Sequence, residues 1–153
     1  MSTRSRIGVT NPDGSVTSVY CHSDGYPEAP HGVGYKLWAY YQEPAKIAEL
    51  IALGDLSALY EHISPPEGVD HSFEMPAPNV VKAYARDRGE KDVAAVVDPD
   101  VHRFLGTADS CGAEFAYLWV GTWVIWEISR STAVLPAAAQ PLELALVTSR
   151  LMA

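Results

Sequence analysis

The stretch that decides the fold class is FAYLWVGTWVIWEI, residues 115–128. Two apolar runs rich in aromatic and β-branched residues, 115–120 and 123–128, flank Gly121 and Thr122, a pattern that is typical of a β-hairpin. Successive side chains of a strand point to opposite faces, so apolar residues at successive positions require both faces to be covered. The stretch therefore predicts two central strands with helices packed across the sheet.

A second hairpin is predicted near the start of the chain. Residues 6–10 alternate as in a strand, Pro12 and Gly14 occupy favourable turn positions, and residues 16–20 continue with β-type side chains. A chain of 153 residues with 48% hydrophobic content can bury one ordinary core. We therefore predict an α+β fold, an antiparallel sheet built from hairpins with helices packed on it, in a single domain over 1–131.

Three helices in series are predicted after the first hairpin. Residues 32–41 carry apolar side chains at helical spacing. Pro44 suits the first position of a second helix, which Gly54 ends. Asp55 is then predicted to cap a third helix that continues to Ile63.

The remaining pattern is less regular. Residues 64–78 contain four prolines and predict an ordered surface loop, a flexible crossing or a lid. A strand is predicted at 80–85, followed by a charged turn and by a short helix capped by Asp98. Residues 132–153 differ in composition and predict a helical extension that packs on the body or on a partner chain, which favours a homo-oligomer.

Charge and composition exclude several classes of protein. Nineteen acidic and eleven basic residues give a formal net charge of −8, which argues against a general nucleic-acid binder. The sequence has no apolar signal core and no segment long enough to span a bilayer, so we expect a cytosolic protein without membrane contact. Cys21 and Cys111 are expected to be reduced.

The segment CHSDGYP, residues 21–27, concentrates reactive side chains. Cys21 and His22 are neighbours on a predicted strand and therefore point to opposite faces, so they cannot form a nucleophile–base pair. A small hydrolase would instead use His22 or His31 as a general base oriented by Asp24. The alternative for Cys21 is a small buried hydrophobic side chain.

A metal site is not predicted from this segment. The side chains of Cys21, His22, Asp24 and His31 are all able to bind a metal ion, but the repeated ligand pairs that are typical of zinc sites do not occur. We predict neither a metal nor a cofactor.

The start of the first predicted helix is the favoured binding site. Gly32 and Gly34 allow backbone N–H groups to approach a ligand, and a helix N-terminus favours an anion. Lys36 adds a charge, while Tyr26 and His22 add a ring surface and hydrogen bonds. The alternative is a tight turn with no ligand.

Four arginines are candidates for the same anion site. Arg4 and Arg6 share one face of the first strand, and Arg86 and Arg88 follow a later strand, so neighbouring strands would gather four guanidinium groups around a phosphate or carboxylate. The alternative is that these arginines form solvated ion pairs with nearby acids, namely Asp87, Glu90 and Asp92.

The segments STRSRI (2–7), DGSVTSVYCHSDGYP (13–27), GVG (32–34) and LIALGDLSAL (50–59) together resemble a family of small uncharacterised proteins of tailed bacteriophages. Ser23 departs from the family pattern, in which an aromatic residue is common at this position. The resemblance implies no activity, but it implies a setting: small phage accessory proteins act on the host, and some sequester or degrade nucleotide signals of antiphage defence. We therefore predict a binder of a small anionic, nucleotide-like ligand in the host cytoplasm. A small hydrolase and a module that docks on a host protein are the alternatives.

Overall fold

The computed structural model describes residues 2–128, 140–143 and 146. Within these residues, eight strands form one sheet: β1 Ser5–Thr10, β2 Val16–Cys21, β3 Leu56–Ala58, β4 Lys82–Ala83, β5 Val96–Asp98, β6 Phe115–Trp119, β7 Trp123–Glu127 and β8 Gln140–Pro141. The helices in this part of the chain are α1 Val33–Tyr40, α2 Pro44–Ala52, α3 Tyr84–Arg88 and α4 Val101–Ser110. None of the described helices is both long enough and apolar enough to cross a membrane.

The strand order is β4-β3-β2-β1-β6-β7-β8. Strand β5 lies outside this order and pairs with β2, on the edge of β2 with which β3 also pairs. Both predicted hairpins are confirmed as β1–β2 and β6–β7, and the predicted α+β class is confirmed. The sheet is mixed rather than antiparallel, because β1 pairs with β6, and β2 with β3, in parallel. Turn residues specify direction only within a hairpin, so they leave the direction of the pairing between hairpins open.

The sheet is covered on both faces. On the first face, Ile7, Tyr117 and Trp123 belong to one core cluster with residues of α1 and α2. On the second face, Leu118 belongs to another core cluster with Phe104 and other residues of α4. Strand alternation separates the two sets, since Tyr117 and Leu118 are neighbours in β6. This two-sided burial explains why the 115–128 hairpin is apolar at successive positions.

The predicted third helix is wrong, because its first residues form β3. Leu56 pairs with Cys21 of β2 and with Ala83 of β4. The Asp55 carboxylate accepts a hydrogen bond from the backbone N–H of Tyr20 at 2.9 Å, so it fixes β2 and caps no helix. Pairing on both edges satisfies the backbone of this segment without a helix.

Two further boundaries differ from the predictions. The strand predicted at 80–85 is limited to β4, and the chain then turns into α3. The cap of α4 is Asp100, whose carboxylate accepts from the Arg103 N–H at 2.8 Å, rather than Asp98. Asp98 ends β5, and its carboxylate accepts from the Thr107 hydroxyl at 3.0 Å, which ties the strand to the helix.

Most of the predicted C-terminal extension, 132–153, lies outside the described residues. In the described part, β8 pairs with β7. Leu142 and Leu146 are buried in the first-face cluster. These two leucines therefore contact the body of the chain.

The proline-rich segment 64–78 is tied to α3 by a buried pair. His71 Nε2 lies 3.1 Å from Asp87 Oδ2, and these side chains are only 3% and 4% exposed. His71 Nδ1 also accepts from the Ala77 N–H at 3.0 Å, which closes the loop on itself. The Phe73 N–H donates to the Asp87 carbonyl at 3.3 Å. The segment is therefore held on the body at both its side chains and its backbone.

We predict that Asp87→Asn destabilises the protein in a pH-dependent way. Burial raises the pKa of Asp87, but hydrogen bonds from Arg86 and the Ala83 N–H, together with the close contact of His71, outweigh it, so the pKa lies below the ordinary 3.8. The stabilisation from ionised Asp87 is therefore complete above that value and is lost as the pH falls through the folded-state pKa. At pH 7 the variant should lose about 1–3 kcal/mol of unfolding free energy, the typical cost of unpaired buried groups.

Denaturant unfolding at pH 7 and at pH 3 measures this effect. The difference between wild type and variant should shrink at pH 3. Asp109→Asn, at an exposed position of α4, is the control and should change neither value. An equal loss at both pH values would contradict a role for the charge.

Candidate functional site

The predicted binding residues are divided between the two faces of the sheet. His22 and Arg6 lie on the second face, because they alternate with Cys21 and Ile7 of the first-face cluster. Gly32, Gly34 and Lys36 belong to α1 or its start, which packs on the first face. The predicted single site therefore does not assemble.

The start of α1 is closed by the chain itself. The first N–H groups of the helix all donate to carbonyl groups of the preceding loop: Gly32 to Glu28, Val33 to Asp24, Gly34 to Tyr26 and Tyr35 to Pro27, at 2.7–3.4 Å. A Cβ atom at Gly32 would lie 2.4 Å from two of these backbone oxygens. The glycines are therefore needed for close packing of the loop, and the first turn has no free N–H group for the predicted anion.

Lys36 is directed into the protein rather than towards a ligand. It is 8% exposed, and its Nζ donates to the Leu59 carbonyl at 2.9 Å and lies 4.5 Å from the centre of the Tyr60 ring. Burial lowers the pKa of Lys36, and the charge of Asp24 opposes that shift. Lys36 therefore joins α1 to the segment after β3, instead of taking part in the predicted anion site.

We predict that Gly32→Ala destabilises the protein, whereas Gly106→Ala does not. An added methyl group at Gly32 has to displace backbone, which typically costs about 1–3 kcal/mol. At Gly106, inside α4, no atom lies within 4 Å of the added methyl group. Alanine should therefore stabilise that helix by roughly 0.5–1 kcal/mol. Unfolding midpoints in denaturant test this pair, and equal effects would contradict the packing argument.

The predicted catalytic groups do not form an acid–base system. Cys21 is fully buried in the first-face cluster, and burial raises its pKa to about 12, so it is a core residue. The Asp24 carboxylate accepts from the Tyr26 hydroxyl at 3.3 Å, while His22 Nδ1 lies 2.8 Å from the Tyr20 hydroxyl. The predicted His22–Asp24 pair is therefore wrong, and His31 is exposed on the loop before α1.

Both cysteines are free thiols, and they lie on opposite faces of the sheet. Among the residues that the structure describes, no group of three or more His, Cys, Asp or Glu side chains is placed to hold a metal ion.

The arginines of α3 are used within the protein. Arg86 forms an ion pair with Asp87 at 2.8 Å and donates to the carbonyl groups of Ile63 and Val81. Arg88 pairs with Glu90 and lies over the rings of Phe73 and Tyr84. The alternative of local ion pairs is thus correct for these two residues.

A polar and aromatic surface lies at the end of β2 on the second face. We call it the tyrosine surface and define it by the side chains of Arg4, Tyr20, His22, Ser57 and Tyr84. The rings of Tyr20 and His22 are 6.0 Å apart. Ser57 lies close enough to the Tyr84 hydroxyl to lower its pKa. All of these side chains are at least partly exposed, so the surface is open to a ligand.

The tyrosines keep their protons in this environment. Burial raises the pKa of Tyr20, the charge of Arg4 opposes that rise, and Tyr84 adds to it. Arg4 and Tyr84 therefore lie within electrostatic reach of the Tyr20 hydroxyl. Burial also raises the pKa of Tyr84, against the nearby Ser57 and the charge of Arg88. Both hydroxyl groups are therefore neutral donors at neutral pH. Sequence reasoning missed Tyr84, because it placed this residue inside the strand predicted at 80–85, whereas the structure places it directly after β4.

Arg6 lies beneath this surface. It is 4% exposed, its Nε donates to Ser18 Oγ at 2.8 Å, and one terminal nitrogen lies 3.9 Å from Cys111 Sγ. Burial raises the pKa of Asp55, and the Tyr20 N–H and the charge of Arg6 oppose that rise. Arg6 thus adds positive charge beneath the tyrosine surface, although its side chain has almost no contact with solvent.

Comparisons with protein-family models, with curated proteins and with solved structures find no match to this chain. The resemblance to bacteriophage proteins stays a prediction, and the assignment of a site depends on geometry alone.

Proposed function

We propose that the tyrosine surface binds a small anionic ligand of the nucleotide class. The contact between the Tyr20 hydroxyl and His22 Nδ1, at 2.8 Å, is the observation that carries the proposal. When Tyr20 donates to Nδ1, a neutral His22 has its proton on Nε2, and a protonated His22 has one there as well. In both states the Nε2–H group of this partly exposed residue is a donor for an anion.

The charges around this pair support an anion. Arg4 is exposed and forms no ion pair with any carboxylate of residues 2–128. The nearby carboxylate of Asp55 is occupied by the Tyr20 N–H and is balanced by Arg6. The ring of Tyr20 offers apolar surface and the hydroxyl of Tyr84 is a donor, which suits a base or a sugar, while the ring of Tyr84 is stacked on Phe73.

The proposed role is that of a binder, because His22 lacks an acid partner and Asp24 is engaged by Tyr26. With the phage resemblance, we propose that the protein acts in the host cytoplasm and sequesters a nucleotide signal of the defence response. The hydrolase and the host-protein module are the alternatives that the following experiments separate.

Native mass spectrometry of the protein purified from cells is the first test. We expect a retained small anion, which denaturation would release for identification, and the same spectrum gives the subunit count. Titration with adenosine monophosphate and with inorganic phosphate follows. Tighter binding of the nucleotide would support the contribution of the tyrosine rings. A protein that retains nothing and binds neither probe would leave the host-protein module as the better explanation.

We predict that His22→Ala and Arg4→Gln each weaken adenosine monophosphate binding about tenfold, the usual loss when one charge-assisted hydrogen bond is removed. Tyr20→Phe should have a smaller effect, since it frees Nδ1 but leaves the imidazole in place. The controls are His102→Ala and Arg103→Gln, at exposed positions of α4. Isothermal titration calorimetry measures the affinities. If His22→Ala abolishes turnover of a phosphoester while binding persists, the protein is a hydrolase and the proposed role is wrong.

A further inference from the structure

A cavity of about 380 Å³ opens where β1 and β6 begin and β7 ends. It is lined by Thr3, Tyr26, Glu114, Phe115, Glu127 and Ile128. Phe115 and Glu127 are cross-strand partners, so their side chains project from the same face. Phe115 packs against the first-face cluster and Ile128 belongs to the second-face cluster, so the cavity lies at the end of the sheet and is lined from both faces.

The loop before α1 holds the wall of the cavity in place. Gly25 donates to the Thr3 carbonyl at 2.8 Å, and its own carbonyl accepts from the buried Tyr117 hydroxyl at 2.7 Å. These bonds connect the loop to the segment before β1 and to β6. Tyr26, the next residue, is further held by its hydroxyl on Asp24. The cavity is therefore formed before any ligand arrives, which reduces the entropy lost on binding.

The described lining of the cavity carries negative charge. Glu114 and Glu127 contribute two carboxylates, and no Lys or Arg lines the cavity among the residues that the structure describes. Burial raises the pKa of Tyr26, and the charges of Asp24 and Glu28 raise it further, so these carboxylates reach the same wall. The sequence placed Tyr26 in an anion site, and the sign of its surroundings is wrong for that role.

We propose that this cavity binds a small organic ammonium ion. The ammonium group lies between the carboxylates of Glu114 and Glu127, and the faces of Tyr26 and Phe115 contact its charge and its carbon chain. Aromatic faces attract ammonium ions through the ring quadrupole, and a cavity of this size suits a small organic molecule. The aromatic walls distinguish this site from a carboxylate cluster that would hold a hydrated metal ion, which takes oxygen ligands. The inference is independent of the proposed nucleotide site.

The test is a titration of the full chain with spermidine and with tetramethylammonium chloride, followed by amide shifts in ¹H–¹⁵N spectra and by calorimetry. We expect shifts centred on residues 26, 114–115 and 127–128 for both probes. The double variant Glu114→Gln/Glu127→Gln should weaken spermidine binding at least about tenfold. The matched control Glu43→Gln/Glu49→Gln removes the same charge from exposed positions of α2 and its cap, and should change the affinity by less than about twofold.

A second variant separates the aromatic walls from the charge. Phe115→Leu keeps an apolar side chain but removes a ring, so it should weaken tetramethylammonium binding, which lacks N–H donors, more than spermidine binding. The thermal midpoint of each variant is measured alongside, because all four glutamates are exposed and their amide variants should fold. The proposal is overturned if neither probe shifts these residues, if the control double variant weakens binding equally, or if magnesium chloride displaces spermidine at equal concentration.

Discussion

The parallel pairing of β1 with β6 is the contact on which the rest of the structure depends. It joins the two hairpins through five residue pairs in register, beginning with Ser5 and Phe115. No turn connects these strands, so the entropy of closing the long intervening chain has to be offset by burial. Ile7 and Tyr117 provide it on the first face, and Leu118 provides it on the second, all with almost no exposed surface. Helices therefore cover the sheet on both faces.

Strand alternation on this frame decides which chemistry each face carries. Along β2, Cys21 enters the first-face core, while Tyr20 and the following His22 emerge on the second face. Helix α4 covers the second face around Val16 and Phe104, near the other end of β2. The end of the strand therefore stays partly exposed. The tyrosine surface is exposed because α4 is too short, and lies too far along the sheet, to cover it.

Local charges, rather than the net charge of −8, set the preference of each surface. At physiological ionic strength charges are screened over roughly 8 Å, so remote carboxylates affect Arg4 and Arg6 little. The same end of the sheet carries Glu114 and Glu127, and no basic residue among those that the structure describes lines their cavity. Two environments of opposite sign thus lie at one end of the sheet.

The sequence by itself determined the two hairpins and helices α1 and α2, because turn chemistry and helical spacing are local, and it gave burial as one of two roles for Cys21. It also placed His22 opposite Cys21. Only the tertiary structure decided that Leu56 enters a strand, since its helical spacing is overridden by pairing on both edges. The same holds for the candidate sites. Whether Gly32 contacts a ligand or its own loop depends on how the preceding few residues fold back on the start of α1. The charges that surround Tyr26 depend on the positions of β6 and β7. Pairing between segments far apart in the chain supplies these neighbours, and no local pattern encodes them.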